Sequence, residues 1–297
     1  MASQIFKGII AYPITPFHAN DGGVDIKTPE RSIDQLIKDG VHAVAPLGST
    51  GESAYLSDAE WDEVAESATK RVAKRVPVVV GISDLTTRNA VRRAVFAEKA
   101  GAEAVMVLPI SYWKLTEQEI FKHFDAIGRA VSIPIMVYNN PATSGIDMSP
   151  QLIARLVREI DNVTMVKEST GDIQRMHLLH QLSDGRIPFY NGSNPLALEA
   201  FAAGAAGWCT AAPNLIPQLT IDLYNAALAG DLKKSRELFY QQLPVLQFIL
   251  KGGLPTTIKA GLRLQGFEAG APRSPLLPLT DEGTEQLRAL LKQVAAA

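Results

Sequence analysis

Short apolar runs rich in β-branched residues alternate with longer amphipathic segments along most of this 297-residue chain. Eight such runs occur within the first ~210 residues, and strands alternating with helical segments are typical of a parallel sheet covered by helices. The runs are too continuous for half-exposed strands, whereas buried parallel strands have this composition. They span residues 8–12, 43–46, 76–81, 104–108, 133–138, 163–166, 187–190 and 206–210.

The segments between these runs carry residues that begin and end helices. Ser57 with Glu60, and Thr116 with Glu119, have the spacing of a capping box. Glycines that suit left-handed helix ends precede the next run at Gly40, Gly101 and Gly204. Eight strand–helix units predict a (β/α)8 TIM barrel, whose typical length is about 250 residues. A doubly wound sheet is the competing fold, but no GxGxxG follows the first run.

The chain after the last run has helical periodicity and no further strand pattern. Helices are predicted near residues 217–229, 232–250, 256–265 and 282–295, with a proline-rich loop at 271–278. We therefore predict a barrel over residues 1–214 and a C-terminal helical extension over 215–297, packed on the barrel.

Composition excludes several classes of protein. Lys and Arg total 29 against 31 Asp and Glu, a net charge of −2 with no basic block, so no nucleic-acid partner is expected. The single cysteine, Cys209, permits neither an internal disulfide nor a cysteine-based zinc site, and it fits a reducing compartment. No secretion signal and no apolar run of 18 residues occur. A cytoplasmic location without membrane contact is the expectation.

Four polar stretches lie at the ends of predicted strands. In a parallel barrel, active sites form at the carboxyl ends of the strands, so residues there are candidates for function. The stretches are GSTGE at 48–52, YNNPATSG at 138–145, KEST at 167–170 and NGSN at 191–194.

Lys167 is the candidate nucleophile, because strand alternation aims it or its neighbour into the barrel. One interpretation is a structural lysine paired with Glu168 or another acid, since buried lysines usually have a partner. The other is a desolvated neutral amine that attacks a ketone to form a Schiff base. Tyr138 would then move protons, unless it is only a core tyrosine. The GSTGE loop offers two hydroxyls and backbone N–H groups that suit a carboxylate, although such loops are also ordinary turns.

In this order, the motifs resemble the dihydrodipicolinate synthase / N-acetylneuraminate lyase family of class I aldolases and dehydratases, over essentially the whole chain. The resemblance implies that Lys167 forms an imine with pyruvate or another 2-oxo acid and that Tyr138 shuttles protons. It implies that Ser49 and Thr50 bind the keto-acid carboxylate, with Thr50 linking Tyr138 into the proton relay. No metal and no cofactor are implied.

The resemblance also implies features of assembly and of the pocket wall. Tyr112 matches a relay tyrosine that is donated across a subunit interface, and a homo-oligomer, commonly a homotetramer, is expected. The main chain around Cys209 matches the place where the family contacts pyruvate.

Departures from the family's pattern predict the substrate class. Thr143 stands where dihydrodipicolinate synthases carry an arginine for a second carboxylate, and a hydroxyl cannot replace that guanidinium. Asn194, near Gly192 in NGSN, stands where N-acetylneuraminate lyases have an acidic residue. With Asn140, these leave a neutral polar pocket, which predicts a hydroxylated 2-oxo acid such as a 2-keto-3-deoxy sugar acid or a hydroxyproline-derived pyrroline carboxylate.

Three alternatives stay open at this point. The chain is a true 4-hydroxy-tetrahydrodipicolinate synthase that condenses pyruvate with aspartate semialdehyde, a catalytically lapsed protein that only binds 2-oxo acids, or a metal-dependent aldolase on the same fold. The sequence shows no clustered ligands for the last of these. Aldol cleavage, condensation, dehydration and deamination share one imine, so the reaction type is also open.

Overall fold

Eight parallel strands form one sheet in the computed structural model, which describes residues 6–18 and 22–296, with the backbone alone for 27–31. The sheet order is β2-β1-β8-β7-β6-β5-β4-β3. A parallel bridge between Val44 and Val78 joins its two edges and closes the barrel. The strands are β1 (Gly8–Ala11), β2 (Ala43–Val44), β3 (Val79–Gly81), β4 (Ala104–Val107), β5 (Ile135–Asn139), β6 (Val163–Glu168), β7 (Phe189–Asn191) and β8 (Gly207–Thr210).

Helices follow the strands around the outside of the barrel and continue beyond the last strand. They are α1 (Lys27–Lys38), α2 (Asp58–Val72), α3 (Thr87–Ala100), α4 (Glu117–Gly128), α5 (Pro141–Ser144), α6 (Pro150–Glu159), α7 (Ile173–Leu182), α8 (Ala197–Ala202), α9 (Pro217–Leu228), α10 (Leu232–Gly252), α11 (Leu254–Leu264) and α12 (Asp281–Ala296). The predicted (β/α)8 TIM barrel with C-terminal helices is thereby confirmed. None of the helices in the described ranges has the length and apolar character needed to cross a membrane.

Local signals at the helix ends act as the sequence predicts. Both capping boxes form, at Ser57–Glu60 and at Thr116–Glu119. Gly40, Gly101 and Gly204 all have positive φ. Strand ends differ by a few residues: β3 begins at Val79 instead of residue 76, because Pro77 has no N–H to donate to a ladder. Strand β6 extends two residues beyond its predicted run, so Lys167 and Glu168 lie within it.

Buried side chains form two layers, one inside the barrel and one between the strands and the helices. Inward-facing residues such as Met136 and Met165 share a cluster with Ile216, Leu246 and Ile258 from the C-terminal part of the chain. Outward-facing residues pack against the helices in a second cluster. The proposed division at residue 214 stays a prediction, since one core contains side chains from both sides of it.

A buried ion pair fastens the C-terminal chain to the loop after β2. Lys259 of α11 lies 2.7 Å from Glu52, and the two side chains are 2% and 0% exposed. The other Glu52 oxygen accepts a 2.7 Å hydrogen bond from the backbone N–H of Arg273. Glu52 also has a left-handed φ of 54°, which a non-glycine residue adopts only when its surroundings hold it there. Glu52, the last residue of GSTGE, is therefore held in place by residues that lie more than 200 positions later in the chain.

Removing one partner of this pair should strongly destabilise the protein. We expect Lys259→Met to lower the free energy of unfolding by about 3–5 kcal/mol, because Glu52 would remain as a buried charge. The control is Lys234→Met, since Lys234 and Glu237 form a pair 3.9 Å apart with both side chains 55% exposed. That variant should change the free energy by less than about 1 kcal/mol. Urea unfolding measures both free energies. Equal losses of unfolding free energy in the two variants would contradict the role of the Lys259–Glu52 pair.

The Arg273 guanidinium binds a further carboxylate, that of Glu60 on α2. Its two terminal nitrogens donate to Glu60 at 2.9 and 2.7 Å. These hydrogen bonds, together with those from Ser57, lower the pKa of Glu60 to about 2. The folded-state pKa thus lies below the unfolded value of 4.5, so the stabilisation is complete above the unfolded pKa and is lost as the pH falls toward 2.

Glu60→Gln tests this linkage while preserving the capping box, which accepts glutamine. We expect the free energy of unfolding of wild type to exceed that of the variant by on the order of 2 kcal/mol at pH 7. This difference should shrink between pH 4.5 and pH 2. Unfolding curves across pH 2.5–7 measure it. Glu63→Gln, an exposed position on the same helix, is the control and should show no such trend; a pH-independent gap for Glu60→Gln would refute the linkage.

Candidate active site

Strands β5 and β6 bring Lys167 and Tyr138 side by side inside the barrel. The two residues are register partners, and the inward-facing Met136 and Met165 pair two residues earlier on the same strands. Alternation therefore turns Tyr138 and Lys167 inward and turns the next residues, Asn139 and Glu168, toward the helices. The sequence left open whether Lys167 or its neighbour faces inward, and the register shows that it is Lys167.

The ammonium nitrogen of Lys167 lies between two aromatic rings. Nζ is 3.8 Å from the ring centroid of Tyr138 and 4.0 Å from that of Tyr12, and the lysine is 5% exposed. Cys209 of β8 lies on the same inner surface, and burial raises the pKa of its thiol, so it stays neutral. The nitrogen is thus enclosed by apolar and aromatic groups at the carboxyl end of the strands.

Glu168 does not neutralise Lys167. It is 1% exposed on the other face of β6, where it pairs with Arg175 at 3.3 Å and accepts from Asn139 and from the backbone N–H of Thr170. Within residues 6–18 and 22–296, no carboxylate forms an ion pair with Lys167. The interpretation of Lys167 as a salt-bridged structural lysine is therefore wrong.

The Tyr138 hydroxyl has one hydrogen-bond partner in the part of the chain that the structure describes. Asn140 donates to it from Nδ2 at 2.7 Å. The hydroxyl therefore keeps its own proton free for donation toward the centre of the barrel. The hydrogen bond between Thr50 and Tyr138 that the resemblance implies is absent from this arrangement, and the role of Thr50 stays a prediction.

The predicted carboxylate loop follows β2 at the same end of the barrel. Thr50 is buried, Ser49 is half-buried, and Thr15 donates from its hydroxyl to the Gly51 carbonyl at 2.7 Å. A Cβ at Gly48 would lie 2.7 Å from the Tyr12 ring, so glycine there permits the loop to approach the aromatic residue beside Lys167. The loop and the lysine thus share Tyr12 as a neighbour.

Strands β7 and β8 supply neutral polar groups. Asn194 is buried and accepts from the Thr210 hydroxyl at 2.8 Å. A Cβ at Gly192 would lie 2.9 Å from Lys167 Cε and 1.8 Å from Ser169 Oγ, so the glycine provides the space that the lysine side chain occupies. Ser169 Oγ is buried and has no hydrogen-bond partner in the described chain.

Two predicted residues lie outside this cluster in the single chain. Thr143 is exposed on α5, and its backbone N–H donates to the Asn140 carbonyl. Tyr112 is 90% exposed and stacks edge-to-face on Trp113. Their roles stay predictions.

Sequence reasoning missed Tyr12 and Ser169. Tyr12 ends the first predicted strand just as Tyr138 ends the fifth, and that parallel was the available signal. Ser169 follows Lys167 by two residues, just past the end of the strand that carries the nucleophile, but only the approach of Gly192 shows that its hydroxyl lies near the lysine side chain. No group of three or more His, Cys, Asp or Glu residues suited to a metal ion occurs among the described residues.

Comparison with known proteins gives consistent matches over nearly the whole chain. Residues 5–294 match the model of the Dihydrodipicolinate synthetase family. A 4-hydroxy-tetrahydrodipicolinate synthase from Bartonella bacilliformis is 37% identical over 97% of this chain and 98% of its own. The crystal structure of a putative dihydrodipicolinate synthetase from Pseudomonas aeruginosa is 66% identical, with a TM-score of 0.96 over 98% of this chain and 100% of its own.

A further match is the chloride-inhibited dihydrodipicolinate synthase from Acinetobacter baumannii, solved in complex with pyruvate. It is 30% identical and has a TM-score of 0.93 over 99% of this chain and 100% of its own. Fold and strand-end lysine together define a class I, Schiff-base type of lyase on a TIM barrel. The chain belongs to the dihydrodipicolinate synthetase family.

Proposed function

We propose that this protein forms a Schiff base between Lys167 and a 2-oxo acid and uses it to make or break a bond in that acid. The observation that carries the proposal is the environment of Lys167 Nζ, which is buried between two aromatic rings without a carboxylate partner. A lysine in an ion pair is held as an ammonium ion, whereas one without a partner can lose its proton and act as a nucleophile.

Formation of the imine replaces the C2 carbonyl oxygen and releases one molecule of water. The neutral amine of Lys167 attacks the C2 carbonyl carbon as the C–O π bond breaks, the nitrogen gives up one proton, and the oxygen takes one, which yields a neutral carbinolamine. That hydroxyl then leaves with a second proton as water, and a protonated imine remains on Nζ. The positive nitrogen accepts electrons from the adjacent carbon, so a C–C bond can break or form, or a leaving group can depart.

Tyr138 is the group that moves these protons in the proposal. Its ring contacts Nζ, and Asn140 fixes the hydroxyl by donating to it. Ser49 and Thr50, with the backbone N–H groups of their loop, hold the carboxylate of the keto acid. Fixing the acid beside Nζ lowers the orientational entropy that remains to be lost at the transition state.

The substrate proposed is a hydroxylated 2-oxo acid. Neutral polar groups support this choice, because Asn194, Thr210 and the unpaired hydroxyl of Ser169 suit hydroxyl groups better than a second carboxylate. Thr143 in the place of an arginine supports it further. A synthase that condenses pyruvate with aspartate semialdehyde is the second candidate, since the Bartonella relative has that synthase's name. The ratio of kcat/KM for aspartate semialdehyde to that for 2-keto-3-deoxy acids discriminates the two.

A homo-oligomer is proposed as the working form, with Tyr112 reaching the relay of a second copy. The support is the exposed pair of Tyr112 and Trp113, which are 90% and 78% exposed and pack edge-to-face on each other. Contiguous exposed apolar surface of this kind marks interaction sites.

Borohydride trapping tests the Schiff base directly. Wild-type protein with pyruvate, and then with a panel of 2-keto-3-deoxy acids and pyrroline carboxylates, should give one reduced adduct by intact mass spectrometry. Lys167→Ala should give none, whereas Lys251→Ala, at an exposed lysine, should react as wild type does. No adduct with any compound would overturn the proposal in favour of a protein that only binds 2-oxo acids.

Gly192→Ala tests the space around the nucleophile. The new Cβ would displace Lys167 Cε and Ser169 Oγ, and a shift of about 1 Å at a reacting group costs about 100-fold in rate. We expect a loss of that order in the rate of adduct formation with pyruvate. The control is Gly230→Ala, whose new Cβ would enter open space and whose cost is the strain of its own positive φ, away from the site; equal rates in the two variants would contradict the assignment.

A further inference from the structure

Among the side chains that the structure describes, two lysines are buried, and they have different surroundings. Lys259 is paired with Glu52 at 2.7 Å, donates to the Ala271 carbonyl at 3.1 Å and lies 3.9 Å from the Phe17 ring centroid. Lys167 has no such carboxylate, and its nitrogen lies between two rings instead. Aromatic faces attract a cation, but far less strongly than a buried carboxylate does. A nitrogen held only by rings is therefore not tied to a counter-ion when it forms a covalent bond.

The two tyrosines at Lys167 differ in where their hydroxyls point. The Tyr138 hydroxyl accepts from Asn140. The Tyr12 hydroxyl donates to the Met106 sulfur at 3.0 Å, against the buried Cys209. Burial raises the pKa of Tyr12 well above its ordinary value, so this phenol keeps its proton. Thioethers are weak acceptors that do not take a proton, so the Met106 sulfur anchors the Tyr12 hydroxyl without accepting its proton.

We propose that Tyr12 is a further catalytic residue and acts through its ring alone. With Tyr138 it forms an aromatic clamp, defined as the two rings of Tyr12 and Tyr138 that enclose Lys167 Nζ. The clamp holds the nitrogen at one position on a side chain with four flexible torsions, and it stabilises the positive charge of the protonated imine. This role rests on the proposed Schiff base at Lys167 and adds to it a residue for which no proton transfer is required.

The position of Tyr12 is fixed from several sides, as such a role requires. Its backbone carbonyl accepts from Asn214 at 2.9 Å, and its backbone N–H donates to the Thr210 carbonyl at 3.1 Å. Gly48 provides the space beside its ring. The ring is thus held by β8, by the residues after β8 and by the carboxylate loop, and it is 3% exposed.

Three variants separate the ring from the hydroxyl. Tyr12→Phe keeps the ring, Tyr12→Met fills the space without a ring, and Tyr138→Phe keeps a ring while removing the proposed proton shuttle. The readout is the rate constant for borohydride-trapped adduct formation with pyruvate, followed by mass spectrometry across a pH series. Thermal unfolding is recorded for each variant, and Phe124→Leu, a fully buried aromatic in the outer layer, reports the effect of losing a core ring elsewhere.

We expect Tyr12→Phe to stay within about threefold of wild type, Tyr12→Met to lose about tenfold, and Tyr138→Phe to lose about 100-fold or more. Tyr12→Leu replaces the methionine variant if that one does not fold. Wild-type rates in Tyr12→Met, or a loss no larger than in Phe124→Leu, would overturn the clamp. A loss in Tyr12→Phe as large as in Tyr138→Phe would overturn the ring-only role. Absence of any adduct in wild-type protein would instead refute the Schiff base itself.

Discussion

A lysine nitrogen buried without a carboxylate is the constraint around which the active end of this barrel is arranged. Two aromatic faces contact this nitrogen, and they attract a cation far less strongly than a buried carboxylate does. Lys259, elsewhere in the same chain, shows the usual solution, a buried ion pair with Glu52. Lys259 is therefore tied to a counter-ion, even though burial lowers its pKa, whereas the nitrogen of Lys167 contacts aromatic rings and is not tied to one among the described residues.

The pairing of β5 with β6 makes that difference possible. Register places Tyr138 against Lys167 on the inner surface and Asn139 against Glu168 on the outer surface. Glu168, the acid next to the nucleophile in sequence, is then satisfied by Arg175 and Asn139 among the helices. A shift of one residue in β6 would turn Lys167 outward and bring the Glu168 carboxylate into the barrel.

The C-terminal chain contributes to the site without lining it. Lys259 and the backbone N–H of Arg273 hold Glu52, and Glu52 ends the loop that contains Ser49 and Thr50. Arg273 also donates hydrogen bonds to Glu60 on α2 and to the Tyr55 carbonyl just before that helix. The carboxylate loop is thus fixed at its far end by residues that a reading of the barrel alone would treat as an appendage.

The sequence by itself determined the barrel and the helix ends, because apolar periodicity and capping residues are local properties, but it left open whether Lys167 or its neighbour faces inward. Membership of the family was also readable from motifs in barrel order. Tertiary structure decided the partners: that Glu168 binds Arg175, that Asn140 binds the Tyr138 hydroxyl, and that Tyr12 lies over the nucleophile. Such contacts join residues up to 155 positions apart, from Tyr12 to Lys167, and only closure of the barrel brings strands β1, β5 and β6 to one centre.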